Sequence, residues 1–587
     1  MRWPWLAALT SLLACGGDSV DAAGGSSSSG AATGTSTSSS TGSESGGDST
    51  SSTSRGDSSS GAADSSSESS GTVPCPANAA PAAPTILEPA AGRIDVIGDD
   101  LVIDVSDFVD PDPGDALGVV AAEIWTLDAG LPKDRVWSIE RTTAGPFTLA
   151  DGVFDDAPAL VPWTDYVVRA RHADDHAECS AYGEWSEPLG FRTDDGSTEL
   201  FDESVVRDFY LDIGPQSWDA INAQAYPPGC VPFDRDYHTG TLRYEDQVFD
   251  GVGIKIKGGC GSSRSLDGKA SFKVNLEWDD PEVLGCPPER RLLGEKSFAF
   301  HNGVQDHTAS HERLGYALYR ALGVPAPRAA SVRIFVNDEL WGLYTHVESI
   351  DRRFFSRWFG SKEGMLYEGT YWCDLIDQNI GPGDNDDGYC LTREFSPSTC
   401  SSADPDGDPL DYVRLHELIG QIAALPDGGF YPAVEEFMDW DRFMTSWAIE
   451  GVLAHWDNYA FYIINNYRVY HDPSTGLWTL LSTGIDQTFN SDLDPWEVTG
   501  VLAVRCLQEP ACEAAFAARL AEVNDAFENF GYHDRADAIF EQLSPYIEED
   551  PRKEYSFGDF ANEHDGLSGF IDWRPGRVRD LITAHGF

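Results

Sequence analysis

The sequence predicts a multidomain protein in which an all-β sandwich precedes a two-lobed α+β domain, with a flexible tether ahead of both. Three observations carry this reading. Residues 16–74 are almost wholly Ser, Gly, Thr and Ala with scattered acids. Residues 75–196 are short alternating apolar runs separated by Pro, Gly and Asp, and residues 197–587 mix period-two runs with amphipathic helical stretches.

Residues 1–15 open with Met1-Arg2, continue as an apolar run through Leu13 and end on Leu12-Leu13-Ala14-Cys15. A basic start, a short apolar core and a small residue before the cleavage point make an export signal, too short to span a bilayer permanently. Leu-Leu-Ala-Cys resembles a bacterial lipobox, which implies that Cys15 is lipidated and anchors the exported protein to the membrane, at the outer membrane or cell surface. An ordinary secretory signal is the alternative, and both readings place the protein outside the cytoplasm. The segment 16–74 cannot bury enough apolar surface to offset its ordering entropy, so it is expected to be a disordered tether.

Setting Cys15 aside, ten cysteines remain, at positions 75, 179, 230, 260, 286, 373, 390, 400, 506 and 512. An even number in an exported chain favours disulfides, and the absence of Cys-x-x-Cys spacing argues against a structural zinc site. Cys506 and Cys512 are expected to close a small loop; the other pairings stay open. A net charge of −57 repels nucleic-acid phosphates, so no nucleic-acid partner is expected, and a solvated acidic surface accounts for the charge.

In the first folded segment, Leu101 to Val105, Ala122 to Thr126 and Tyr166 to Arg171 alternate as strands of an antiparallel sandwich. Tyr166 to Arg171, followed by Gly183-Glu184-Trp185-Ser186-Glu187-Pro188 and Phe191-Arg192-Thr193, resembles the last two strands of a fibronectin type III module. The resemblance implies a fibronectin III/Ig-like fold with Trp125 as core tryptophan and Cys75–Cys179 as a staple. Its role is that of a spacer or of a module binding a glycan or protein.

In the second, Gly253 to Gly259 and Lys269 to Leu276 read as strands joined by a Gly/Ser-rich connection. A helix starting near Ser310 stripes Leu314, Ala317, Leu318, Ala321 and Leu322 and is stopped by Gly323 and Pro325. Val332, Ile334 and Val336 alternate, Asn337-Asp338 turns, and Trp341 to Glu348 returns as the partner strand. After a loop-rich insertion from Trp372 to Asp411, a helix from about Asp441 stacks Met444, Trp447, Ala448, Gly451, Val452 and His455, which puts Asp457 just past a helix end.

The stretch that follows carries the chemistry: His455-Trp456-Asp457-Asn458, Asn465-Asn466, a hairpin through Val469 to Trp478, then Gly484-Ile485-Asp486-Gln487-Thr488-Phe489. One acid after a helix, an Asn pair and a second acid after a hairpin are the order of parts that phosphoryl transfer uses. A carboxylate takes the hydroxyl proton, while an amide oxygen and a second carboxylate hold the metal. Asp457 is the candidate proton acceptor or a metal ligand, Asp486 the candidate metal ligand, and Asn465 and Asn466 candidate metal ligands with turn chemistry as their alternative. Lys257 and Lys273 lie in strand patterns, where a long basic side chain faces solvent or reaches into a cleft. Lys273 is expected to meet the triphosphate, with Glu348 or Glu312 beside it, although Glu312 reads more simply as an exposed Glu. Trp478 is a candidate adenine stacker, with core packing as its alternative.

At this point the chain resembles the CotH kinase family. The resemblance rests on Lys257-Gly258-Gly259, Lys269-Ala270-Ser271-Phe272-Lys273, Gly323-Val324-Pro325-Ala326-Pro327-Arg328, the Asn337 to Glu348 hairpin and the Asp457 to Phe489 stretch. It implies a two-lobed protein-kinase-like domain over 197–587 that uses ATP with Mg²⁺ or Mn²⁺ to phosphorylate Ser, Thr or Tyr of a surface or coat protein. A catalytically inactive kinase-like adhesin or assembly protein is the alternative. The His-Arg-Asp-x-x-x-x-Asn spacing of ordinary kinases is absent, and the second acidic site reads Thr483-Gly484-Ile485-Asp486 where the family often has Trp-Asp-x-Asp.

Overall fold

The computed structural model describes residues 78–587 except 94–95, 98–100, 129, 156–158, 177–180, 225–232, 234, 279–289, 361–363, 377–389, 396–409 and 427. The export signal, the tether and the Cys75–Cys179 staple lie outside the described residues.

Nine strands come first: β1 (Ile86–Glu88), β2 (Val96–Ile97), β3 (Val102–Val105), β4 (Leu117–Asp128), β5 (Leu131–Arg141), β6 (Phe147–Thr148), β7 (Val153–Phe154), β8 (Asp165–Asp174) and β9 (Leu189–Asp194). They form a sheet of order β1-β3-β6 and a second of order β2-β9-β8-β4-β5-β7. Ile86, Ile103 and Phe147 of the first share one core with Ile124, Trp137 and Val168 of the second. The core tryptophan is Trp137, 0 % exposed, not Trp125. The pleat explains the correction: Ile124 points inward, so its neighbour Trp125 turns outward, while Trp137 lies directly opposite Ile124 on the paired strand. The Trp137 indole donates to the Leu149 carbonyl at 3.0 Å. Trp125 instead begins an outer stack in which Arg169 lies 5.0 Å from its ring and 4.4 Å from that of Trp185.

The next seven strands close on themselves. They are β10 (Arg207–Asp212), β11 (His238–Tyr244), β12 (Gln247–Lys257), β13 (Ser271–Asn275), β14 (Ser297–His301), β15 (Ala329–Val336) and β16 (Glu339–Glu348). The barrel runs β10-β11-β12-β13-β14-β16-β15 and is sealed by a parallel pairing of β10 with β15. Its interior holds Phe209, Ile254, Ile256, Phe272, Phe298, Phe300, Val332 and Trp341. Because side chains alternate with period two, the residues between these inward ones point out: Lys255 and Lys257 on β12, Lys273 opposite Lys255 on β13, and His301 at the end of β14. One outer face of the barrel thus carries a patch of cations and an imidazole.

Ten helices are described: α1 (Pro215–Ala223), α2 (His311–Ala321), α3 (Arg352–Phe359), α4 (Leu410–Ala424), α5 (Phe430–Val434), α6 (Trp440–Leu453), α7 (Val501–Leu507), α8 (Pro510–Glu528), α9 (Tyr532–Glu549) and α10 (Phe557–Ala584). Strands β17 (Met365–Gly369), β18 (Leu391–Phe395), β19 (Tyr467–His471) and β20 (Trp478–Ser482) pair in the order β18-β17-β19-β20. This sheet and α4 to α10 share a large core with α2, which also touches the turn after β20 and packs on α6. Disulfides join Cys506 to Cys512, as expected, and Cys373 to Cys390. Among the described residues no helix is long and apolar enough to cross a membrane.

Candidate active site

Helix α6 starts on Asp439, whose carboxylate accepts from the Arg442 N–H, and ends at Ala454 in the left-handed region (φ 57). Its last turn is pinned from outside. Arg574 of α10, wholly buried, donates to the carbonyls of Gly451 at 2.6 Å and Val452 at 3.1 Å, and reaches the Leu493 carbonyl at 2.7 Å. A cation on the C-terminal carbonyls satisfies groups that have no partner within the helix and suits the dipole there. The chain leaves this fixed point through buried His455 into Asp457.

Asp457 is buried, and both its oxygens are held. Asn465 Nδ2 donates to Oδ1 and Asn466 Nδ2 to Oδ2, each at 3.0 Å, and Asn466 Nδ2 also lies 2.9 Å from the Asp457 carbonyl. Burial pushes the carboxyl up to about 6, against the lowering effect of the two amides. Asn458 Oδ1 accepts from the N–H groups of Ala460 and Phe461, which shapes the loop between Asp457 and the Asn pair.

Asp486 sits in a short 3₁₀ turn after β20, and its carbonyl accepts from His311 Nδ1 at 2.8 Å. Its carboxyl is pushed up to about 8 by burial, then by the negative charges of Glu312, Asp306 and Asp457, with Lys257 opposing. Gly484 ahead of it has φ 56, and a Cβ there would meet Asn466 Oδ1 at 2.5 Å. The residue that departs from the family pattern is therefore where the two Asp-bearing loops press together.

Barrel and helix supply the remaining groups. Lys257 Nζ contacts His301 Nε2, and His301 Nδ1 lies 2.6 Å from Glu312 Oε1. Glu312 is 4 % exposed, which corrects its reading as a surface residue. The helix stripe missed this because the first turn of α2 is buried on the side facing the barrel, not only along its apolar row. Burial pushes Glu312 up to about 8, and burial also draws Lys257 down to about 8. Lys273 stays well above the ordinary lysine range, held charged by Tyr237 and, beyond the opposing effect of burial, by Glu394 and Glu368. Arg468 of β19 joins that group by donating to Glu368 Oε1 at 2.8 Å.

Hydrogen bonds and electrostatic interactions link Asp457, Asn465, Asn466, Asp486, Lys257 and Lys273 in one cluster, to which the structure adds Glu312, Asp306, His301 and Arg468. It places Glu348 and Trp478 elsewhere. Glu348 accepts from the Arg328 guanidinium at 2.8 Å and backbone N–H at 2.9 Å, and pairs with Arg357, so it is tied to arginines and not to a lysine. Trp478 is a core residue packed near Tyr367 and His471. Asp306 accepts from the N–H groups of Thr308 and of His311, the first residue of α2, so an acid shortly before an amphipathic helix is the one signal that could have marked it. Nothing in the pattern marked His301 or Arg468, because a polar residue on a half-buried strand reads as solvent-facing.

The donor set suits a hard divalent cation. Asp486 is a carboxylate crowded by other carboxylates, and Asn465 and Asn466 turn their amide nitrogens to Asp457, which leaves their oxygens as donors. These groups make a sparse all-oxygen set, the kind Mg²⁺ takes when phosphate and water complete its shell. Among the described residues the trio of acids with oxygens mutually within 4.8 Å is Asp110, Asp112 and Asp115 of the sandwich, not this cluster.

A closed barrel presenting lysines, and a helix-rich region that holds two loop carboxylates, are the frame into which the comparisons fall. The chain belongs to the family described as CotH kinase protein, whose model matches residues 254–578. It is similar to invasin CotH2 of Rhizopus delemar, 27 % identical over 345 residues, covering 54 % of each chain. Inner spore coat protein H of Bacillus subtilis is 20 % identical over 309 residues, 50 % of this chain and 80 % of that protein. Invasin CotH3 of Rhizopus delemar is 27 % identical over 273 residues, 45 % of this chain and 41 % of that one. The chain thus spans about half the length of the two invasins.

Proposed function

We propose that residues 197–587 form an ATP-dependent protein kinase that transfers the γ-phosphoryl group to a Ser, Thr or Tyr hydroxyl of a protein at the cell surface or coat. The observation that carries the reading is Asp457, a buried carboxylate with a pKa near 6, held by Asn465 and Asn466 within electrostatic reach of Asp486. A base of that strength is ionised at neutral pH and accepts a proton once the hydroxyl oxygen attacks phosphorus and the bond to the leaving ADP oxygen breaks. Asp486, with the amide oxygens of Asn465 and Asn466, would hold Mg²⁺ or Mn²⁺, which when bound would neutralise triphosphate charge. Lys257 and Lys273 face the phosphates from the barrel, and the acidic cluster repels a nucleotide whose charge is not compensated in this way.

On the same reading this domain lies outside the cell, with residues 1–15 serving export, Cys15 taking the lipid, residues 16–74 acting as a tether and residues 75–196 as a fibronectin III-like spacer. A relative named as a spore coat protein and two named as invasins accord with a surface location. The invasin names also favour a second reading, a catalytically inactive surface adhesin. Incubating the purified chain with labelled ATP and Mg²⁺ or Mn²⁺ separates the two. Incorporation of label that Asp457→Ala abolishes supports the kinase, and absence of both incorporation and ATP binding supports the adhesin.

A further inference from the structure

Protein kinases couple a strand lysine to a helix glutamate by a direct ion pair. Here the strand lysine and the helix glutamate are joined through a third side chain. Lys257 ends β12, Glu312 lies in the first turn of α2, and His301 ends β14 between them. His301 Nε2 meets Lys257 Nζ on one side, and Nδ1 meets Glu312 Oε1 at 2.6 Å on the other.

We infer that His301 is a positioning residue: a neutral imidazole, protonated on Nδ1, that donates to Glu312 and accepts from Lys257, aiming the ammonium at the triphosphate. An ammonium has donors and no acceptor, so the nitrogen it meets must be the unprotonated one. That assigns the proton to Nδ1, which then donates to Glu312 Oε1, and the hydrogen bond at one nitrogen fixes the tautomer at the other. Burial opposes an imidazolium here and Lys257 opposes it further, so the ring stays neutral.

The chemical consequence concerns the charge of Lys257. In a direct ion pair, carboxylate oxygens occupy the ammonium's donor directions and cancel its field at contact distance. Here one donor direction goes to a neutral acceptor, and the Glu312 carboxyl group acts from beyond the ring. The remaining donors and most of the charge are left for phosphate oxygens, while Glu312 still orients the assembly. Asp306, Asp486, Lys273 and Arg468 surround the pair electrostatically, and none of them replaces the ring as the link between β12 and α2.

The use of Lys257 for phosphate rests on the kinase reading; the bridge itself does not, and the experiment separates them. In the full chain with ¹⁵N-labelled histidine and no nucleotide, signals lost in His301→Ala identify the ring. They are expected to show a neutral, Nδ1-protonated imidazole whose Nδ1 signal moves in Glu312→Gln. An Nε2-protonated ring, or one indifferent to Glu312→Gln, overturns the bridge whatever the activity. Calorimetry then follows Mg·ATP. His301→Ala is expected to weaken binding about tenfold or more, the scale of one hydrogen bond to a charged group. His301→Gln, whose amide both accepts and donates, is expected to recover most of it, with unfolding temperatures as the check on the fold. Glu312→Gln added to His301→Ala is expected to cost less than it does alone. Wild-type affinity in His301→Ala, or full additivity of the two changes, overturns the positioning role. Failure of the wild type to bind Mg·ATP overturns that role together with the kinase reading, and leaves the tautomer to decide the bridge.

Discussion

Asn465 Nδ2 reaches Asp457 Oδ1 at 3.0 Å from eight residues along the chain, and Asn466 holds the other carboxylate oxygen at the same distance. Two donors on one buried carboxylate lower its pKa, and burial outweighs them to leave it near 6. This balance sets the pH dependence of any reaction for which Asp457 is the base.

The folded-state pKa is raised, so the ionised, competent form is lost as pH falls through about 6. Phosphoryl transfer should therefore rise with pH to a plateau, with an acid limb near that value. Asn465→Ala removes a lowering influence, so the limb should move to higher pH. A pH–rate profile of both proteins checks this, and an unmoved limb contradicts it.

Gly484 presses on Asn466 with φ 56. A Cβ there combines left-handed strain of about 1 kcal/mol with a displaced Asn466 side chain, which then loosens its hold on Asp457. Gly484→Ala should lower the unfolding free energy by at least that amount and reduce turnover at saturating ATP. Denaturant melts and kcat measurements test the two parts separately.

The hairpin of β15 and β16, helix α2, helix α6 and the order Asp457, Asn465, Asn466, Asp486 follow from period, caps and turn residues. The closure of the barrel does not, because the parallel pairing of β10 with β15 joins segments more than a hundred residues apart and leaves no local signature. Trp125 and Trp137 show a similar limit: a tryptophan in an alternating run is equally plausible on either face until the register is known. Glu312 and Glu348 show it for charge. Their types and element positions were legible, but which cation each meets depends on the packing of α2 and α3 against the barrel.

Glu348 provides a stability test free of nucleotide chemistry. Burial raises its pKa, but Arg328 and Arg357 outweigh this and hold it down to about 2. A depressed carboxyl stabilises the fold above its ordinary pKa and loses that contribution as pH falls from about 4.5 toward 2. Glu348→Gln should destabilise the protein by roughly 3–5 kcal/mol at neutral pH, the scale of a broken buried pair. The difference from wild type should shrink in acid, and ATP affinity under native conditions should be unchanged. A large loss of affinity without loss of stability would return Glu348 to the nucleotide site.

In the sandwich, Trp137→Ala should cost about 3–5 kcal/mol by opening a core cavity. Trp125→Ala should cost roughly 1 kcal/mol, since it removes a half-buried stacking contact with Arg169 and a hydrogen bond to Glu123 but no core volume. Thermal melts of the two variants decide which tryptophan is structural.

The central claim is that Asp457 and Asp486 divide the work between proton acceptance and metal binding. ATP affinity measured by calorimetry with and without Mg²⁺, for the wild type, Asp457→Ala and Asp486→Ala, tests it most directly when paired with phosphate incorporation. The account predicts metal-dependent binding that survives Asp457→Ala while transfer is nearly abolished, and loss of both binding and transfer in Asp486→Ala. Binding that ignores Mg²⁺, or variants that transfer phosphate at the wild-type rate, would contradict it.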